Sequence, residues 1–95
     1  MALLGDIKTT LRISSTAYDT EISDLIDAAK ADLQLSGVLA TKIVDTDPLI
    51  KRVITIYCKA NFGLENPDYE RLLQAYGSLK IHLCLSTEYT VEVVV

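Results

Sequence analysis

The side chains that could support chemistry in this chain are mainly carboxylates on one predicted helix. Asp24 and Asp27 are three residues apart, which makes them neighbours on a helix, and Asp32 adds to the acidic density of the same segment. Such carboxylates could bind a divalent cation weakly. Calcium, however, requires roughly six to eight oxygen ligands, usually from a glycine-containing loop, and the segment has no such loop. We therefore expect an acidic face that is solvated or contacts a partner, with all three aspartates exposed in the isolated subunit.

The single histidine and the two cysteines form no recognisable catalytic or metal-binding motif. His82 and Cys84 are two residues apart, so on a helix their side chains point about 200° from each other. Zinc requires about four ligands at short spacings. The sequence also has no glycine-rich phosphate loop and no nucleophile elbow. We predict no enzymatic activity, no metal and no other cofactor, with Cys58 and Cys84 serving as small buried apolar residues.

Length and charge narrow the class of protein further. The chain has 95 residues, enough for one domain, and 49% of them are hydrophobic, which argues against a disordered chain. Nine Lys and Arg against thirteen Asp and Glu give a net charge of −4. This charge disfavours tight binding to phosphates or to an anionic membrane. No apolar run approaches the ~18 residues of a membrane span, and the first residues do not resemble a signal peptide, so we expect a cytoplasmic origin.

Hydrophobic periodicity predicts an all-α fold: a small bundle of about four helices, with a short C-terminal β-strand, in a single domain over residues 1–95. The helices are expected over about residues 3–13, 19–36, 48–62 and 67–85. Asp19 is the predicted cap of the second helix and Gly37 its terminator. Asp47–Pro48 and Asn66–Pro67 each pair an N-cap with a proline, the usual start of a helix.

The third predicted helix is apolar around most of its circumference, which is typical of a central helix. Ile54 and Tyr57 are therefore expected to be buried between the second and fourth helices. Gly77 weakens the fourth helix, and we attribute it to the close approach of a neighbouring helix. The connection over residues 38–46 is apolar enough to pack down, and a short strand or a single helical turn could form there.

Residues 87–95 alternate between apolar and polar side chains, which is typical of a strand. Tyr89, Val91, Val93 and Val95 would share one face. A lone strand cannot satisfy its backbone groups. It must therefore pair either with the 38–46 connection of its own chain or with another copy or partner protein, and the sequence leaves both arrangements open.

The sequence fits two other classes of helical protein poorly, the acyl carrier proteins and the helix-turn-helix proteins. An acyl carrier protein needs a serine that follows an aspartate and precedes a leucine, whereas Ser23–Asp24–Leu25 reverses that order. A helix-turn-helix protein needs a basic recognition helix that faces a groove. The third helix carries Lys51, Arg52 and Lys59, but its apolar arc is too wide for that role.

Three stretches taken together resemble the head-tail connector (DNA-packaging adaptor) family of tailed phages and prophages. They are Ile7-Lys8-Thr9-Thr10-Leu11-Arg12-Ile13, the acid- and alanine-rich residues 20–30, and residues 47–63, which begin with Asp47-Pro48. Family members have a leucine-arginine-isoleucine helix end, then a long amphipathic helix, then a helix started by proline that ends near an asparagine. The resemblance covers nearly the whole chain. It is greatest to versions from Gram-positive prophages, at residues 57–62 and 66–68.

The resemblance implies a structural virion protein without enzymatic activity. Family members assemble as a ring of twelve copies beneath the portal protein, where the ring extends the DNA channel and presents a surface to the next head-completion or tail protein.

 This implies that the chain occurs in the host cytoplasm during assembly and at the head-tail junction of the virion. A channel for DNA should not hold the DNA tightly, and each phosphate contact adds affinity. A net charge of −4 therefore suits such a channel.

In such a ring, the acidic residues of one copy would meet basic residues of the next, because a head-to-tail interface brings different patches together. The candidate interface residues combine these charges with the apolar face of the tail; they are Asp24, Asp27, Asp32, Lys51, Arg52, Arg71, Tyr89, Val91, Val93 and Val95. The alternative from the residues alone is a small acidic helical module that regulates or inhibits another protein.

Overall fold

The structure, a computed structural model, describes residues 2–63 and 66–91. Within these ranges the chain forms five α-helices and two single turns of 3₁₀ helix. The α-helices are α1 (Ala2–Leu11), α2 (Asp19–Leu35), α3 (Pro48–Asn61), α4 (Tyr69–Leu85) and α5 (Thr87–Thr90). The 3₁₀ turns are Thr16–Tyr18 and Ala40–Lys42, and the second is the helical turn considered for the 38–46 connection. The all-α prediction is confirmed.

Helix α3 lies at the centre and packs against α1, α2 and α4, while α5 packs on α4. Six of its fourteen residues are buried. Ile54 is fully buried, as predicted, and Tyr57 is half-buried, with its ring 5.1 Å from that of Tyr76 on α4. The remaining helices contribute one inward face each to a common core. Its largest fully buried side chains are Leu3, Ile7, Ile22, Ile26, Leu33, Ile50, Ile54 and Leu83.

The start of α3 follows the predicted pattern. Asp47 is the N-cap, and its Oδ1 accepts hydrogen bonds from the amides of Leu49 (2.9 Å) and Ile50 (3.2 Å). Pro48 occupies the first turn, where the amide it lacks would have had no partner within the helix. These two residues fix the direction in which the most buried helix enters the core.

The end of α2 is also as predicted. Gly37 has a φ of 113°, which an L side chain rarely adopts. The amides of Gly37 and Val38 donate to the carbonyls of Gln34 and Leu33, and Val38 is buried against the core. This double hydrogen bond terminates the helix and turns the chain back over the bundle.

Two predicted caps are placed differently. Asp19 is the first residue of α2 rather than its cap, and it pairs instead with Lys8 of α1 at 2.7 Å. Asn66 does not start α4, which begins at Tyr69. The side-chain amide of Asn66 donates a hydrogen bond to the carbonyl of Lys59 at 2.7 Å, and its Oδ1 accepts one from the backbone amide of Asp68. Asn66 thus joins the end of α3 to the turn before α4.

The prediction of a C-terminal strand is wrong for residues 87–90, which form α5. The carbonyl of Tyr89 accepts a hydrogen bond from the amide of Leu39 at 2.9 Å, so this segment does contact the 38–46 connection, but as a helical turn. Alternating polarity over so few residues is equally compatible with a short turn whose one large side chain points inward. Val93 and Val95 lie outside the described residues.

Truncating the central helix should destabilise the chain strongly. We expect Ile54→Ala to lower the free energy of unfolding by about 2–5 kcal/mol, because it leaves a cavity in a fully packed core. Chemical denaturation followed by circular dichroism measures this loss. The matched control is Ile81→Ala on α4, where the isoleucine is 60% exposed and the expected change is below about 0.5 kcal/mol. Equal effects of the two substitutions would contradict the central position of α3.

Candidate interaction surfaces

Tyr89 is held inside its own chain. Its side chain is buried, and its hydroxyl donates a hydrogen bond to Oδ2 of Asp47 at 2.9 Å. The same carboxylate caps α3 through its other oxygen. Burial and the neighbouring Asp47 raise the pKa of Tyr89 to about 12. The expectation that the Tyr89 side chain faces a strand partner is therefore wrong, whereas Val91, at the end of the described tail, is exposed.

Asp32 joins α2 to α4. Its Oδ2 accepts hydrogen bonds from the hydroxyl of Tyr76, at 2.5 Å, and from the ammonium group of Lys80, at 3.0 Å. The Lys80 ammonium also lies 5.2 Å from the centre of the Tyr76 ring. Asp32 is half-buried, so the prediction that it is an exposed member of the acidic face is wrong.

The hydrogen bond between Asp32 and Tyr76 shifts the pKa values of these two residues in opposite directions. The hydrogen bond from Tyr76 and, to a lesser degree, the Lys80 ammonium hold the pKa of Asp32 below its ordinary value, against the opposing effect of burial. Burial and the adjacent carboxylate raise the pKa of Tyr76 well above its ordinary range. The charged carboxylate and the neutral phenol are thus the favoured pair, which is the arrangement of a structural tie between two helices.

A signal for Asp32 was present in the sequence. Asp32 follows the half-buried Leu25 by seven residues, or about two helical turns, so both lie on the same side of α2. Asp24 and Asp27 lie on the other side and are exposed, as expected. Nothing in the sequence, by contrast, indicated that Tyr89 would meet Asp47, which is 42 residues away.

The three basic residues predicted to face a neighbouring copy have different surroundings. Lys51 pairs with Asp6 of α1 at 2.6 Å, and Arg71 pairs with Asp68 at 3.1 Å. Arg52 is exposed on α3. Exposed ion pairs are worth little, so these contacts do not prevent Lys51 or Arg71 from meeting another acidic group. The role of these residues at a subunit interface stays a prediction.

A shallow cleft of about 270 Å³ lies between the end of α1 and the first half of α3. Its lining combines hydroxyl and basic side chains, and it consists of Thr10, Pro48, Lys51, Arg52 and Thr55. The hydroxyl groups of Thr10 and Thr55 donate to backbone carbonyls of their own helices, so they act as helix surface rather than as aimed ligands.

The cysteines and the histidine do not come together. Cys58 is fully buried, and burial raises the pKa of its thiol to about 12, which makes it an inert core residue. Cys84 is half-buried, and its Sγ donates to the carbonyl of Ser36 at 3.2 Å. His82 is exposed. Across residues 2–63 and 66–91, no group of three or more His, Cys, Asp or Glu could hold a metal ion.

No helix in the described parts of the chain packs closely against Gly77. A Cβ atom built at Gly77 would meet no atom within 4 Å, so the prediction of a close approach is wrong within the chain. Ile81, four residues later on α4, is 60% exposed, and Leu85 is 81% exposed. The outer side of α4 is therefore open and, towards its end, apolar. No helix in the described parts of the chain is long and apolar enough to cross a membrane.

Comparison with known proteins assigns this helical chain to a protein family. A model of the phage connector protein family matches residues 3–90, almost the whole sequence. The chain belongs to the phage connector protein family. No curated protein and no solved structure matched it. The match confirms the resemblance found in residues 7–13, 20–30 and 47–63.

Membership of the connector family gives the surfaces described above a context. Phage connectors are structural rather than catalytic proteins, which agrees with the prediction that this chain is not an enzyme. The residues of interest in a phage connector are those that contact other proteins. Among the described residues of this connector, the exposed carboxylates of α2 and the outer side of α4 are two surfaces that the fold leaves uncovered.

Removing the Tyr89 hydroxyl should loosen the C-terminal turn. We expect Tyr89→Phe to lower the free energy of unfolding by about 1 kcal/mol, because the partly buried Asp47 carboxylate loses a donor. Tyr69→Phe is the matched control, since Tyr69 is 43% exposed, and it should have almost no effect. Thermal unfolding of both variants gives the comparison. A Tyr89→Phe variant as stable as the parent chain would show that the contact contributes nothing.

Low pH should weaken the contact of Asp32 on α2 with Tyr76 and Lys80 on α4. Because the pKa of Asp32 is lowered in the folded chain, its charged form stabilises the fold above the ordinary value of 3.8, and that contribution is lost as the pH falls through the folded pKa. Asp32→Asn should therefore be less stable than the parent by about 1 kcal/mol at neutral pH, and the gap should narrow as the pH falls below the ordinary carboxyl value of 3.8. Asp27→Asn, at an exposed position on the same helix, is the control and should show no such gap.

Proposed function

We propose that this connector is a structural protein of a phage or prophage virion that forms a ring of twelve copies beneath the portal protein. The ring extends the DNA channel and presents a surface to the next head-completion or tail protein. The observation that carries this proposal is the family match over residues 3–90. The chain acts in the host cytoplasm during assembly and then at the head-tail junction.

The distribution of charge supports a role in guiding DNA rather than holding it. The net charge is −4, with nine Lys and Arg against thirteen Asp and Glu. Affinity for duplex DNA grows with each phosphate that a protein neutralises. A chain whose carboxylates outnumber its cations is suited to letting DNA pass without retaining it.

The exposed carboxylates of α2 support assembly by unlike surfaces. Asp24 and Asp27 face away from the core and are not needed to hold the fold together. In a ring every subunit uses one patch towards its left neighbour and a different patch towards its right neighbour. An acidic patch on one side and a basic residue on the other, such as Arg52 or Arg71, satisfies that requirement.

Deletion of the gene from the phage or prophage that encodes it tests the proposal. We expect heads to fill with DNA but to remain without tails, so infectious particles are lost, and expression of the intact chain from a plasmid should restore them. Antibody labelling of restored particles in electron micrographs should mark the head-tail junction.

Normal yields of infectious particles without the protein would contradict a connector role. A mobility-shift assay adds a second check, because the purified chain should not bind duplex DNA at physiological salt. Tight binding that weakens steeply with salt would favour a DNA-binding regulator instead. Capture of the chain in a complex with a protein that is absent from virions would favour the small regulatory module.

A further inference from the structure

The outer side of α4 carries a stripe of exposed residues without cover from the described chain. Its members recur at spacings of four, three and four; they are Gln74, Ser78, Ile81 and Leu85, hereafter the α4 stripe. These spacings place them on one face of a helix. Leu85 is 81% exposed and Ile81 60% exposed, and open space lies beside them at Gly77. Two large apolar side chains in adjacent turns next to open space are typical of a helix-packing surface.

Helix α2 carries a stripe of the same pattern on its own outer side. Its exposed members again recur at four, three and four; they are Asp24, Ala28, Ala31 and Leu35, hereafter the α2 stripe. Leu35 is 88% exposed, the highest value among the large apolar residues of the described chain. The inner side of α2 is already used by the core, through residues such as Ile26 and Leu33.

The two stripes are complementary only when the helices run parallel. In that register Ala28 faces Ser78, Ala31 faces Ile81, and Leu35 faces Leu85, so the two exposed leucines coincide at one end of the contact. Each stripe extends over twelve residues, which separates its first and last members by about 16 Å along the helix. An antiparallel register would instead place Leu35 beside Gln74 and Asp24 beside Leu85.

Charge favours the same register. Arg71 lies one turn before Gln74, on the side of α4 that carries the α4 stripe, and its side chain is 76% exposed. In the parallel register it comes within one turn of Asp24 at the acidic end of α2. Opposite charges therefore meet at one end of the contact and apolar side chains at the other.

From this complementarity we infer that the α2 stripe of one copy packs in parallel on the α4 stripe of a second copy. The occupant is a second copy because every chain carries both stripes, while its own α2 and α4 point their inner sides at α3 and are tied by Asp32. The contact joins unlike faces, so it repeats from copy to copy and closes into a ring if the rotation allows. This inference rests on the proposed function and names the interface that builds the ring.

Complementation between two variants tests the inference. In sedimentation velocity at roughly 1 mM, a concentration that detects even a weak contact, Leu35→Asp and Leu85→Asp should each weaken self-association by about 10- to 100-fold, since each buries a charge in place of a leucine. An equimolar mixture should form a one-to-one complex, because each variant retains the face that the other lacks. That complex should not grow further.

The controls separate this arrangement from a two-fold one. If α4 packed on α4, the Leu35→Asp variant would still dimerise alone, and if α2 packed on α2, the Leu85→Asp variant would do so. Either result overturns the inference. Val44→Asp introduces the same charge at a 43% exposed apolar residue outside both stripes, and it should associate like the parent. Arg71→Glu should weaken association, and Asp24→Arg should restore it in the mixture of the two variants.

Cross-linking in particles distinguishes failure of the inference from failure of the proposed function. With Cys84 changed to Ser, chains carrying Ala31→Cys and Ile81→Cys together should form disulfide-linked multimers on oxidation in purified virions, and each single variant should not. Particles that contain the protein at the head-tail junction without such multimers would overturn the interface and leave the connector role intact. Particles without the protein would overturn the connector role.

Discussion

The fold depends on burying α3. Six of its residues are inaccessible to solvent, and they face in several directions, so no single neighbour could cover them. Helices α1, α2 and α4 must each contribute an apolar face, and this requirement fixes which side of each of them points inward. A short chain has little apolar surface to spare, so the polar contacts at the ends of α3 have a large share in holding the arrangement. Asp47 begins the helix and anchors Tyr89, while Asn66 secures the end.

The sequence was sufficient for the parts of the fold that are governed by local rules. The apolar spacing identified α2 and α3, and Asp47–Pro48 and Gly37 marked a start and an end, because capping needs only residues within a few positions of one another. The C-terminal turn was mistaken for a strand because Tyr89 is positioned by a carboxylate 42 residues away, which local propensity does not report. The spacing of Asp32 from Leu25 did indicate a partly buried position, but its partners Tyr76 and Lys80 lie on another helix and could not be inferred from local rules.

At the candidate surfaces, too, features set by nearby residues could be predicted and features set by distant contacts could not. Exposure of Asp24 and Asp27 followed from their positions opposite the apolar stripe of α2. Gly77 was correctly noted as unusual within a helix, since glycine lowers helix propensity by about 1 kcal/mol. The sequence could not show that the described chain places no atom within 4 Å of a Cβ at this position.

The inward orientation imposed by α3 also determines what is left on the outside. With Ile26 and Leu33 of α2 and Leu83 of α4 in the core, the opposite sides of these helices are left outside. Leu35, Ile81 and Leu85 lie there, and they are exposed in the part of the chain that the structure describes. Because the inner sides of α2 and α4 both pack on α3, each of these two helices is left with a separate outer face. Two unlike faces on one subunit favour a contact that repeats around an axis over one that closes after a single pair. The geometry that buries α3 is therefore also the geometry that suits a subunit of a ring.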